Sequence, residues 1–99
     1  MKRQLSKLLV ADHAASVLRT LHPDIKRKLR TAFQVIAADP YAGKVLTQDL
    51  DGLRSYRVSR FRIIYRVKQE KQIEIIAVGP RERIYEETYR LVSKSEKQP

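Results

Sequence analysis

Residues 53–85 read LRSYRVSRFRIIYRVKQEKQIEIIAVGPRERIY, and the alternation inside this stretch decides the fold. Phe61, Ile63, Tyr65 and Val67 recur at every second position, with Arg62, Ile64 and Arg66 between them. Period two is the signature of a strand, because successive side chains leave a strand on opposite sides. The spacing predicts a strand over Phe61–Lys68, preceded by one over Leu53–Val58 and followed by one over Gln72–Gly79. In the last of these, Ile73, Ile75 and Ala77 fall on one face and Ile76 and Val78 on the other. Gln69-Glu70-Lys71 is a polar hairpin loop, and Gly79-Pro80 ends the run. Six basic residues (Arg54, Arg57, Arg60, Arg62, Arg66 and Lys68) and no acid lie between Leu53 and Lys68. One face of this meander must pack into a core, and the other must do something with its guanidinium groups.

Upstream, Leu8-Leu9-Val10 is apolar and short enough for a first strand. Asp12 reads as an N-cap for a helix over His13–Leu21, where Ala14, Val17, Leu18 and Leu21 have helical spacing. His22-Pro23 breaks it, since a residue before proline is pushed out of the α region. Pro23 or Asp24 opens a longer helix with an apolar stripe of Ile25, Leu29, Ala32, Phe33, Ile36 and Ala37, and Asp39-Pro40 stops it. Tyr41–Asp49 has no regular pattern, and Leu50-Asp51-Gly52-Leu53 is a turn. Downstream, a short helix over about Arg83–Leu91 has Ile84, Leu91 and Val92 as its apolar side. Tyr85 and Tyr89 stand one turn apart on it, and Tyr89 is expected to pack on the sheet. The expected fold is α+β: an N-terminal helical hairpin on a small antiparallel β-sheet, made of the short first strand and a three-strand meander, with a short C-terminal helix. Residues 1–93 form one domain and 94–99 a polar tail.

Composition narrows the function. The chain has 99 residues, 42% hydrophobic and 32% charged, an ordinary globular balance for one domain. Zero cysteines exclude disulfides and thiolate metal sites. The N-terminal apolar run is too short for a signal peptide and nothing approaches a membrane span, so a soluble cytoplasmic protein is expected. Twenty-one Lys and Arg against eleven Asp and Glu give a net charge of +10, a field that recruits nucleic acid or an acidic protein partner. His13 and His22 are not spaced with a second ligand for a metal. No Gly-rich phosphate loop or Ser/Cys nucleophile arrangement is present, and no cofactor is expected.

The arginines suit RNA cleavage by the substrate's own 2′-hydroxyl. That reaction needs the phosphate held in line, the charge of the phosphorane stabilised, and protons moved. Arginine meets two phosphate oxygens at once and stays charged. Arg57, Arg62 and Arg81 come from two strands and a strand end and converge on one face if the register allows. Tyr85 follows shortly after. The plainer alternative is a solvated strand face, with Lys26, Arg27, Lys28 and Arg30 on the second helix equally solvated.

The run FRIIYRV, the polar hairpin, IIAVGPRERIY and the closing helix resemble the RelE/ParE superfamily of bacterial toxins, over nearly the whole chain. In the RelE branch the resemblance implies a metal-independent endonuclease that cuts mRNA in the ribosomal A site and also meets ribosomal RNA. Arg62 and Arg81 would contact the scissile phosphate, and Tyr85 would stack on a base or take part in proton transfer. Arg57 occupies one basic position of the second meander strand. Ser59 stands at the next, where RelE has lysine, so no lysine base is supplied there; Arg60 replaces it only if the hairpin is bulged. A cognate antitoxin, wrapping the basic surface with an acidic segment, is the implied partner. Two alternatives share the fold: a ParE-like inhibitor of DNA gyrase, and an inactive RelE-like binding protein.

Overall fold

The computed structural model describes residues 6–69 and 71–97. In chain order the elements are β1 (Lys7–Val10), α1 (Asp12–Thr20), α2 (Pro23–Ala38), β2 (Lys44–Val45), a 3₁₀ turn (Gln48–Leu50), β3 (Arg54–Val58), β4 (Phe61–Val67), β5 (Gln72–Pro80) and α3 (Ile84–Lys97). They form a five-stranded sheet in the order β1-β5-β4-β3-β2.

The α+β class and the helical hairpin are as expected, with differences of detail. The sheet is mixed: β3, β4 and β5 form the antiparallel meander, but β1 lies parallel to β5, Leu8 opposite Ile73 and Val10 opposite Ile75. A hairpin turn fixes direction only for strands adjacent in sequence, and β1 meets β5 across the whole chain. The irregular stretch after α2 contributes β2, which pairs Lys44 with Ser55. Asp12 does not cap α1; it is the first helical residue, after Ala11 at the N-cap. His22 is the cap of α2, its Nδ1 accepting from the Asp24 N–H at 3.1 Å. Gly52 turns with φ +91°, as its place after Asp51 requires. α3 runs past Leu91 to Lys97. Glu70 of the expected hairpin loop, and the last two residues of the tail, lie outside the described residues.

Both faces of the sheet are covered. On one, α1 and α2 bury Ala14, Leu29, Ala32 and Ile36 against Ile63, Tyr65, Ile73, Ile75 and Val78. On the other, Ile84 of α3 packs with Leu53, Ile64, Ile76 and Ala77, and Leu46, Leu50, Leu91 and Val92 close around them. This second face was expected to carry its arginines in the open. Instead α3 covers part of it and leaves the end with Arg57 and Arg62 clear.

Ala77 and Val78 lie on the faces opposite to those that strict alternation gives. Ile64 pairs with Ala77 but Tyr65 with Ile75, so β5 carries one extra residue, Ile76, in a bulge. Beyond it every side chain of β5 changes sides. Gly79 therefore lands opposite Arg62, on the face under α3, where a Cβ would stand 3.1 Å from Ile84 Cδ1.

Candidate active site

Strand pairing does most of the assembly. Arg57 of β3 lies directly opposite Arg62 of β4, and Ser55 directly opposite Ile64. Ser55, Arg57, Arg62 and Gly79 thus share one face near the β3–β4 turn. Like charges facing each other across a ladder are destabilising, and no carboxylate of the described residues pairs with either arginine. Their hydrogen bonds go elsewhere: Arg57 Nε donates to the Ser59 carbonyl at 3.4 Å, and Arg62 Nη1 to Ser55 Oγ at 3.1 Å.

Ser55 is the hub. Its side chain is buried, yet Oγ also shares a hydrogen bond with the Tyr85 hydroxyl at 3.2 Å. One hydroxyl thereby ties β4 to α3 and fixes the tip of Tyr85 relative to the Arg62 guanidinium. Tyr85 keeps 36% of its surface exposed, so the ring remains open to a ligand while its oxygen is held. The helix is anchored beneath by Ile84, fully buried, and by Thr88, whose Oγ1 donates to the Ile84 carbonyl at 2.7 Å.

Arg81 and Arg60 complete the rim. Ser59 and Arg60 form the two-residue turn between Val58 and Phe61, with Ser59 at φ +57°. The Arg81 N–H donates to the Arg60 carbonyl at 2.9 Å, so the two backbones meet just beyond the Arg62–Gly79 pair. Both side chains are exposed, and neither has an ion-pair or hydrogen-bond partner among the described residues. The β3–β4 pairing is regular, so Arg60 reaches the rim as a turn residue and not through a bulge in its own hairpin.

The structure thus brings Arg62 and Tyr85 together through Ser55, sets Arg57 beside Arg62, and places the backbone of Arg81 at the same end of the sheet. Ser55 was missed in the sequence, although its parity with Arg57 puts it on the arginine face. Tyr89, expected to pack on the sheet, is 46% exposed and is not among the side chains packed on the core under α3. Among the described residues no three His, Asp or Glu side chains gather closely enough to hold a metal ion.

Residues 9–85 match the family described as the ParE toxin of type II toxin–antitoxin systems, parDE. The chain belongs to that toxin family, within the RelE/ParE superfamily. Solved relatives include the toxin–antitoxin complex RelBE2 of Mycobacterium tuberculosis, 28% identical, covering 81% of this chain and 95% of that one with a TM-score of 0.71. A mutant of the Escherichia coli toxin RelE in the free state is 23% identical, covering 92% and 97%, also at 0.71. The chromosomal ParDE system of P. aeruginosa shares the fold at 17% identity, covering 80% and 98%, with a TM-score of 0.60. No curated protein sequence matches significantly. RelE toxins thus share the toxin's fold, and several were solved in toxin–antitoxin complexes. No helix among the toxin's described residues is long and apolar enough to cross a membrane.

Proposed function

We propose that the toxin is a ribosome-dependent mRNA endonuclease that cleaves RNA through its 2′-hydroxyl, works in the cytoplasm, and is silenced by a cognate antitoxin. The observation that carries this reading is the Arg62–Ser55–Tyr85 chain beside Arg57, on a rim without a paired carboxylate. Arg57, Arg62 and Arg81 suit the non-bridging oxygens of a scissile phosphate, where charge grows as the phosphorane forms. The 2′-hydroxyl gives up its proton and attacks phosphorus, and the 5′-oxygen leaves with a proton. Tyr85 is the group placed to move a proton, or to stack on a base beside the phosphate. An acidic antitoxin segment would neutralise the same rim.

Cleavage of a defined message on programmed ribosomes tests the reading. Wild-type toxin should cut it, and Arg62→Ala or Arg81→Ala should abolish both cleavage and growth arrest while antitoxin still binds. Full toxicity in both variants would refute the assignment. The ParE family match favours a second reading, inhibition of DNA gyrase. Gyrase-dependent DNA breaks with uncut message in the same extract would establish it.

A further inference from the structure

Lys44 of β2 lies directly opposite Ser55 in the ladder, and residues paired in this way project from the same face of a sheet. Parity along β2 agrees, since Leu46, two residues on, packs in the cluster under α3. Lys44 therefore flanks the serine that bonds both Arg62 and Tyr85. We propose that Lys44 is a further catalytic residue, the acid that protonates the departing 5′-oxygen. The inference rests on the endonuclease reading and supplies a group that the arginines and Tyr85 leave wanting.

What the site lacks is a second proton carrier. Cleavage through the 2′-hydroxyl removes one proton and delivers another. Arginine stays charged and exchanges neither, and the β3–β4 turn offers Ser59 and Arg60 in place of a lysine. Tyr85 alone would have to serve both ends of the reaction. Lys44 brings an ammonium on a flexible four-carbon stem, rooted roughly 5 Å from the Ser55 Cβ, the usual spacing of a facing pair. The root is fixed. The Gly43 N–H donates to the Tyr65 hydroxyl at 2.8 Å, the Gly43 carbonyl accepts from Arg54 Nη1 at 2.9 Å, and the Leu46 N–H donates to the Leu53 carbonyl at 3.0 Å. The head is free: Lys44 is exposed and has no ion-pair or hydrogen-bond partner among the described residues.

With both carriers in place the step balances. Phosphorus gains its bond to the 2′-oxygen as it loses the bond to the 5′-oxygen. The 2′-hydroxyl proton passes to Tyr85 in its phenolate form, and an ammonium proton of Lys44 passes to the 5′-oxygen as it departs. The phenol and amine left behind return to their starting forms by exchange with water. The two carriers stand on different elements, Tyr85 on α3 and Lys44 on β2.

Two messages on programmed ribosomes provide the test, cut in single turnover by the intact toxin. One is ordinary RNA, and the other has sulfur in place of the 5′-bridging oxygen at the position that wild-type toxin cuts. Lys44→Ala and Lys44→Arg should both cut ordinary RNA about a hundredfold more slowly, since arginine keeps the charge but gives up no proton. Both should return to near the wild-type rate on the sulfur message, because a thiolate leaves without being protonated. Arg62→Ala should stay slow on both messages. Full cutting of ordinary RNA by Lys44→Ala or by Lys44→Arg overturns the inference and makes Lys44 a solubilising charge on an edge strand or a mere counter-charge. Equal losses on the two messages overturn it as well, because a lysine that only seats the phosphate is not spared by a better leaving group. Wild-type toxin that cuts neither message sinks the endonuclease reading itself, and the role of Lys44 with it.

Discussion

Two hydroxyls tie separate elements of this molecule together, and each makes a distinct prediction. Among the described residues, Ser55 Oγ is the one atom that bonds both Arg62 and Tyr85. In Ser55→Ala both remain charged or aromatic as before, but neither is held. The fold should survive, since only one small buried hydroxyl is lost, whereas message cleavage should fall by roughly ten- to a hundredfold, the scale of misplaced reacting groups. Single-turnover cleavage on programmed ribosomes reads this directly, and undiminished cutting would mean that Arg62 and Tyr85 need no common anchor. Tyr65 does structural work on the opposite face. Its hydroxyl donates to the Pro40 carbonyl at 2.8 Å and accepts from the Gly43 N–H at 2.8 Å, pinning the loop between α2 and β2. Tyr65→Phe strands that buried N–H and should cost about 1–3 kcal/mol in urea unfolding. Burial holds the Tyr65 phenol above its ordinary 10.0, though Gly43 and Arg54 pull the other way. Below pH 10 both folded and unfolded chains keep the proton and the full contribution is present. As pH rises past 10 the unfolded chain loses its proton first, so stability should fall there, and this part of the decline should vanish in Tyr65→Phe.

At the scale of elements, the site depends on how α3 meets β5. Ile84 is fully buried and touches the position where a Cβ on Gly79 would stand. Ile84→Ala should open a cavity costing about 2–5 kcal/mol and loosen Tyr85, its neighbour on the helix, so denaturant midpoint and cleavage should fall together. Gly79→Ala works from the other side, pushing Ile84 aside instead of removing it. How much of this was legible in the sequence differs by element. The alternation of Phe61–Val67 gave β4 its correct faces, and proline and Asp-Gly marked the ends of α2 and the turn before β3. The bulge at Ile76 left no mark, because Ile75, Ile76, Ala77 and Val78 are all apolar and fit either register. The parallel docking of β1 was equally hidden, since no local turn dictates it. Arg57, Arg62 and Tyr85 were readable as candidates that the fold brings to one end of the sheet. Ser55 was not, because nothing in a lone strand serine announces that a helix thirty residues on will reach it.

Across the whole molecule the +10 charge is unevenly spent. Four acids are paired with arginines: Glu74 with Arg66, Glu87 with Arg83, Glu86 with Arg90 and Asp24 with Arg27. These surface pairs add little stability; those of Glu74 and Asp24 cancel charge away from the site, whereas Glu87 Oε2 lies 3.9 Å from where a Cβ on Gly79 would stand. Arg57, Arg60, Arg62 and Arg81 keep theirs, at one end of the sheet. Binding of single-stranded RNA should therefore weaken steeply with salt, because each phosphate neutralised releases counterions. The slope of log K against log salt should flatten by about 0.7 for each of Arg57→Ala and Arg81→Ala, the value for one single-strand phosphate contact. Arg27→Ala, whose charge is already partnered on the far helix, should leave it unchanged. Fluorescence anisotropy of a short labelled RNA over a salt series separates the two cases. Equal flattening by all three substitutions would mean that RNA senses only a diffuse positive field, with no phosphate seated among the arginines of the sheet.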